Sequence, residues 1–353
     1  MSNLDWFIDP KTKKALSYNQ ESASVDTADG KISYPVINGV PRFVSPELYK
    51  EAHEVSTDEV RTGRSFGDKW RESRYEFLGS EEADRAALEE HFIAILGCTS
   101  AKELHELLNG ATSTLNGGCG VAWNEYLFNI NLNAQRHCVD LSLSVETART
   151  LTKDLDNITV SQASVLELPY PDETFDIAYS CGVVHHTPDP KGAVLEIGRT
   201  VKAGGLLGIY IYNIKPFIRE LSDKEIRKKT TTMSYDECMD FSKKMTMLGK
   251  AFKDINAKIT IEEDIDLIGM KKGEYDLQKF VYDHFIKCWY NPKQDDKYAD
   301  LVNQDWYHPH YASHHTKEEV FAWFEEAGFS KIKCLQPSGW EHSGYYISGK
   351  KCK

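Results

Sequence analysis

The chain has 353 residues, 41% hydrophobic and 27% charged, the balance of an ordinary globular protein of one large domain with additions, or of two domains. Its formal charge of −12 opposes binding to duplex DNA, RNA or an anionic membrane surface, so neither nucleic acid nor membrane is an expected partner. The opening MSNLDWFIDP has no basic stretch leading into an apolar one, and no run approaches membrane-spanning length, so a cytoplasmic setting is expected. There the eight cysteines, with no CxxC pair among them, are expected to be reduced.

Residues 1–50 read as a small β module. A turn is expected at Asp9-Pro10-Lys11-Thr12, and the apolar alternation around Asn38-Gly39 predicts a short hairpin. Residues 51–110 are charged and helical in pattern, and read as a helical lid. Within it Phe66 and Trp70 stand four apart, on one helix face. They serve either core packing or as a wall over a bound cofactor.

From 111 to 212 the pattern alternates strand and helix, as in a doubly wound α/β sheet. Its first strand runs into Leu115-Asn116-Gly117-Gly118-Cys119-Gly120, a Gly-rich turn that lets a ligand approach the backbone. Asp140, twenty residues after Gly120, ends the next strand, where a carboxylate accepts hydrogen bonds from ribose hydroxyls; the alternative is a cap on the following helix. Two chemistries share this layout, hydride transfer with a dinucleotide and methyl transfer from S-adenosylmethionine. A dinucleotide fold wants a small residue three places after Gly120, and Trp123 stands there, which favours methyl transfer.

The segment 213–313 is mostly helical by pattern and rich in Tyr, Trp and His, including His308, His310, His314 and His315, without confident metal-ligand spacing. It reads as a helical cap over a substrate. Its most basic stretch, 215–229, alternates with acids and reads as a solvated helix face. In 314–353 the capping box Thr316-Lys317-Glu318-Glu319 opens a helix that Gly328 stops, and two strands form a closing antiparallel hairpin.

Several segments carry a family resemblance. They are Ser164-Val165-Leu166-Glu167-Leu168-Pro169-Tyr170, Asp172-Glu173-Thr174-Phe175-Asp176, His185-His186-Thr187-Pro188-Asp189-Pro190 and Val201-Lys202-Ala203-Gly204-Gly205. In order and spacing they resemble the ubiquinone-type branch of the class I S-adenosylmethionine-dependent methyltransferases. The resemblance implies a mostly parallel seven-stranded sheet and S-adenosylmethionine as cofactor. It places Asn116, Gly117, Gly118, Cys119 and Gly120 at the methionine end of the cofactor, Asp140 and Leu141 at ribose and adenine, and Ser164 and Val165 at the adenine edge. Tyr179 to His185, Ser180 and Cys181 among them, would line the pocket near the methyl group. His185, His186 and Tyr179 are the catalytic candidates, a neutral imidazole being able to take a proton from a hydroxyl, amine or thiol. The first fifty residues resemble the zinc-ribbon-like module that activates many methyltransferases, with Asp9-Pro10-Lys11-Thr12 standing where Cys-Pro-x-Cys would bind metal; a metal-free remnant is expected.

The family usually has Asp at 116, Gly at 122 and Asp at 164, where this chain has Asn116, Ala122 and Ser164. The expected function is methyl transfer to an O, N or S atom of a small-molecule acceptor, with assembly as a homodimer left open. The alternatives are a non-catalytic cofactor-binding or activating subunit and an NAD(P)-dependent oxidoreductase.

Overall fold

A computed structural model describes residues 6–50, 57–72, 82–127, 133–336 and 343–353. Expectations resting on 51–56 and Glu81 lie outside the described residues. By contacts the chain divides into two compact units, Met1–Tyr212 with His315–Lys353, and Asn213–His314.

The first unit opens with β1 (Leu16–Asn19), β2 (Ser24–Thr27), β3 (Ser33–Ile37) and β4 (Val40–Pro41), antiparallel neighbours in that order. Asn38 and Gly39 join β3 to β4 with φ of 55° and 77°, as a two-residue hairpin turn requires. The β1–β2 hairpin was not expected, because Leu-Ser-Tyr-Asn and Ser-Val-Asp-Thr are too short and polar to show an apolar period. At the position of the absent metal ligands Asp9 is 1% exposed. It accepts hydrogen bonds from the Thr12 amide (2.6 Å) and the Tyr34 hydroxyl (2.6 Å), so a carboxylate fastens this turn. Phe7, Leu16 and Val25 join the apolar core that also holds Leu115 and Val139. Backbone bonds from Ile8 to Pro169 (3.0 Å) and from Phe43 to Gln162 (2.8 Å) complete the docking.

Next come α1 (Asp58–Glu72), α2 (Glu82–Ile95) and α3 (Ala101–Asn109), the last capped by Ser100. The alternating region is built of β5 (Ser113–Gly117), α4 (Trp123–Leu127), β6 (Gln135–Asp140), α5 (Ser144–Leu151), β7 (Ile158–Gln162), β8 (Phe175–Cys181), α6 (Pro190–Arg199) and β9 (Val201–Tyr212). The second unit contributes α7 (Phe217–Thr230), α8 (Tyr235–Ile255), β10 (Lys258–Ile261), β11 (Gly273–Asp276), α9 (Leu277–His284) and α10 (Asp296–Tyr307). The chain returns as α11 (Lys317–Glu326), β12 (Phe329–Leu335) and β13 (Gly344–Lys351). The Thr316–Glu319 capping box is formed in both directions, and Gly328 succeeds α11 at φ 82°.

The main sheet has the order β12-β13-β9-β8-β5-β6-β7, parallel except at β13, which is antiparallel to both neighbours. It is a doubly wound α/β fold of the class I methyltransferase type. The strand sequence reverses at β5, between β8 and β6. That opens a crevice at the carboxyl ends of these strands, where such sheets bind ligands. β5 is buried along its whole length, as a central parallel strand must be.

The second unit is mostly helical, with β10 and β11 paired as an antiparallel hairpin. One reading of it is corrected: the 215–229 stretch is not a wholly solvated face, since Lys215, Arg219 and Asp223 are 5%, 2% and 1% exposed.

Burial raises the Asp9 pKa, but the bonds from Thr12 and Tyr34 outweigh it and hold the carboxyl below its usual 3.8. Asp9→Ala leaves the Tyr34 hydroxyl and Thr12 amide without their acceptor and should cost about 1–3 kcal/mol in urea unfolding. A folded-state pKa below the unfolded one makes this contribution full above about pH 4 and lost as pH falls. A wild-type–variant difference that stays constant down to about pH 2.5 would contradict the ionised reading.

Candidate cofactor and acceptor site

The Gly-rich turn leaves β5 with Gly118 and Gly120 at φ 81° and 55°, and Ala122 also left-handed at 58°. A Cβ on Gly118 would overlap a Val183 methyl, so the turn passes the loop after β8 only as glycine. The amides of Gly118 and Cys119 both donate to the Val139 carbonyl (2.7 and 2.9 Å), and the Gly120 amide donates to Asp140 Oδ2 (2.8 Å). These three N–H groups, expected to face a ligand, instead lock the turn onto the end of β6. A pyrophosphate needs such donors free. The methionine end of S-adenosylmethionine carries an ammonium as well as a carboxylate and asks for acceptors too, so the arrangement disfavours a dinucleotide.

Asp140 is 9% exposed, and its Oδ1 accepts from the Ser142 amide (2.8 Å) and hydroxyl (2.7 Å). Burial pushes its pKa up, while the bonds from Ser142 and Gly120 oppose that rise. A carboxylate oxygen has more than one acceptor site, so ribose hydroxyls can be added to these contacts.

One face of α1 lies against this crevice. A Cβ on Gly63 would stand 3.3 Å from Leu141 Cδ2, and one on Gly67 would stand 3.5 Å from the Leu143 nitrogen. A Cβ on Gly120 would meet the Trp70 indole at 3.0–3.2 Å. Positions 63, 67 and 70 share one helical stripe. Phe66 meets His186 edge-on at 5.0 Å, and the Lys69 ammonium lies 4.8 Å from the Trp70 ring. Trp70 therefore covers the Gly turn, and Phe66 walls the adjoining space beside His186.

Two acids that the sequence reading missed lie beside the departures at 116 and 164. Asn116 donates to both oxygens of Glu125 (3.2 and 3.1 Å), and the Tyr179 hydroxyl donates to the same carboxylate. Glu125 is 5% exposed, and burial raises its pKa. Ser164 donates to Glu59 Oε1 (3.1 Å) and accepts from the Leu166 amide (3.3 Å). The carboxylates expected at 116 and 164 are thus supplied by α4 and α1. No spacing rule links 59 to 164; an acid in the first turn of each helix is the only local signal.

Tyr179 needs correction as a catalytic candidate. It is 2% exposed, bonded to Glu125 and packed 5.0 Å from the Phe92 ring, so it belongs to the buried Asn116–Glu125 cluster and not to the methyl pocket. Ser180 is fully buried and donates to the Gly117 carbonyl (2.7 Å), tying β8 to the turn. Val165 lies against Gly117, where a Cβ would be 3.4 Å from its methyl. Cys181 is partly exposed at the strand end, and burial pushes its thiol up to about 12, so it is no thiolate nucleophile.

His185 is fully buried and stacked on Tyr212 at 3.7 Å, and its Nδ1 accepts the Tyr212 amide (3.3 Å). That bond places the proton of a neutral ring on Nε2, so the ring holds Tyr212 and offers no lone pair to a substrate. His186, 6% exposed between Phe66 and Tyr212, is the imidazole of the pair that stays a candidate for proton transfer. No group of three or more His, Cys, Asp or Glu among the described residues is arranged to hold a metal.

Residues 115–209 match a family model described as a methyltransferase domain. A sterol 24-C-methyltransferase of Gibberella zeae is 34% identical over 55 residues, 16% of this chain and 14% of that protein. One of Clavispora lusitaniae is 23% identical over 227 residues, 62% and 56% of the two chains. This chain therefore spans about half the length, or much less, of these relatives. Among solved structures, a putative S-adenosyl-L-methionine-dependent methyltransferase of Methanococcus maripaludis is 17% identical with a TM-score of 0.41, covering 86% of this chain and 98% of that one. Residues 115–209 of this chain therefore carry a methyltransferase domain.

Trp70→Ala removes the ring over Gly120 and should weaken S-adenosylhomocysteine binding about tenfold, from roughly 1–1.5 kcal/mol of lost contact. An unchanged Kd in calorimetry would show that Trp70 is packing alone.

Proposed function

We propose that this chain transfers the methyl group of S-adenosylmethionine to an O, N or S atom of a small-molecule acceptor, releasing S-adenosylhomocysteine. The observation that carries this reading is Asp140, which is fixed at the end of β6, tied to the Gly120 amide and placed beside the Trp70-covered turn.

Bound S-adenosylmethionine supplies an activated methyl group on a sulfonium. The rest falls to this chain's residues. Asp140 accepts the ribose hydroxyls, with Leu141 at adenine, and the Gly118–Gly120 turn holds the methionine end. Ser164, oriented by Glu59, serves the adenine edge. Phe66 and Trp70 exclude water, and His185 fixes Tyr212 on the acceptor side. His186 takes the proton of a hydroxyl, amine or thiol acceptor, and in-line placement of acceptor and methyl supplies most of the rate. The sterol 24-C-methyltransferases among the relatives add carbon to the acceptor atoms worth testing.

In this reading residues 1–50 are a metal-free counterpart of a methyltransferase-activating module, fastened by Asp9. The charge of −12 and the free cysteines support a cytoplasmic setting, as monomer or homodimer. Among the described residues no helix is long and apolar enough to cross a membrane.

The test is incubation with methyl-labelled S-adenosylmethionine and the low-molecular-mass fraction of a cell extract. Label should enter a small molecule, and Asp140→Ala should remove that transfer. Label found only in macromolecules would contradict the acceptor class. Cofactor binding without transfer to any fraction would indicate a non-catalytic subunit.

A further inference from the structure

The second unit buries three cations around one indole. Lys215, Arg219 and Lys287 are 5%, 2% and 5% exposed, and their charged groups lie 5.3, 5.1 and 5.0 Å from the Trp306 ring centroid. Lys287 and Arg219 also each stand 5.0 Å from the Tyr282 ring. Surface lysines are common, but buried ones persist only when paired.

Each nearby acid has one oxygen bonded to another group, while Asp223 Oδ1 and Asp283 Oδ1 are buried with no hydrogen-bond partner. Asp223 Oδ2 accepts from Arg219 Nε (2.7 Å), Glu220 accepts from the Lys215 amide (2.6 Å) and binds His314 (2.7 Å), and Asp283 pairs with Lys279 (2.8 Å). The Lys287 ammonium has the Tyr282 hydroxyl (3.2 Å) and aromatic rings, but among the described residues no carboxylate in ion-pair range. The neighbouring Trp289 ring, 6.0 Å from Lys287, holds a buried Nε1–H with no acceptor. An ammonium without a carboxylate, beside an indole donor without an acceptor, calls for a group that only accepts.

We propose that Lys287 and Trp289 Nε1, supported by Lys215 and Arg219, form a binding site for the carboxylate or phosphoryl group of a small molecule. This site stands apart from the methyltransferase reading and does not rest on it. Burial, and then repulsion from Arg219, pushes the Lys287 pKa down to about 7, and the same causes with Lys287 itself lower Lys215. Asp223 and Asp305 oppose the shift at Lys287, and Asp223 and Glu220 oppose it at Lys215. Without an anion the cluster cannot keep all its charges; a bound anion restores them.

The test uses the full chain with sulfate and acetate, which do not titrate near neutrality, against chloride at equal ionic strength. Tryptophan fluorescence and thermal unfolding are the readouts. A saturable response is expected, about tenfold or more weaker at pH 8.5 than at pH 6, because only the protonated fraction of Lys287 binds. A response to sulfate alone identifies a phosphoryl site, one to acetate alone a carboxylate site, and one to both the shared chemistry.

Lys287→Met should abolish the response and leave S-adenosylhomocysteine binding unchanged. In the chloride reference buffer it should raise Tm, more at pH 6 than at pH 9, because it removes an uncompensated buried charge. No saturable response in the wild type, a response that survives in Lys287→Met, or a lowered Tm or lost fold in that variant would overturn the site.

Discussion

The hydrogen bond between the Gly120 amide and Asp140 joins the two strand ends that define the crevice. It spans twenty residues of sequence, and the adjoining Val139 carbonyl takes two more turn amides. A Gly-rich turn has high conformational entropy when free. Here its donors are spent internally, so the turn is shaped before any ligand arrives, and such preorganisation lowers the cost of binding. The same bond explains why Asp140 is placed in spite of its burial, since its hydrogen bonds replace the water it loses.

Around this link the carboxylates have been redistributed. Asn116 and Ser164 are neutral, yet each has an acid within hydrogen-bond reach from a different helix. Moving a charge from a strand end to a helix keeps it near the crevice and also makes the helix part of the site. Glu59 makes α1 such an element: it bonds Ser164 while Trp70, at the other end of the helix, covers Gly120. Helix α1 and the crevice are thereby joined in one compact unit by polar contacts at one end and aromatic packing at the other.

How much the sequence reveals depends on the range of the forces involved. The alternating core, the Asn38-Gly39 hairpin, the Thr316 capping box and the closing strands are local: turn chemistry, periodicity and caps within a few residues specify them. Glu59, Glu125 and the Trp289–Lys287 neighbourhood are set by tertiary packing, which leaves no spacing to detect. Tyr179 was misplaced because its partner Glu125 comes from α4, a tertiary contact that no spacing along β8 records. The basic 215–229 stretch misled for a related reason: charge alternation describes a surface helix, but Arg219 and Asp223, four apart, pair and go inside together.

The central claim is that the Asp140-locked turn is a cofactor site. Calorimetric titration of the purified protein with S-adenosylhomocysteine, beside an Asp140→Ala variant, tests it most directly. Micromolar binding in the wild type, lost in the variant, is the predicted result. No binding in the wild type, or equal binding in both proteins, would contradict it.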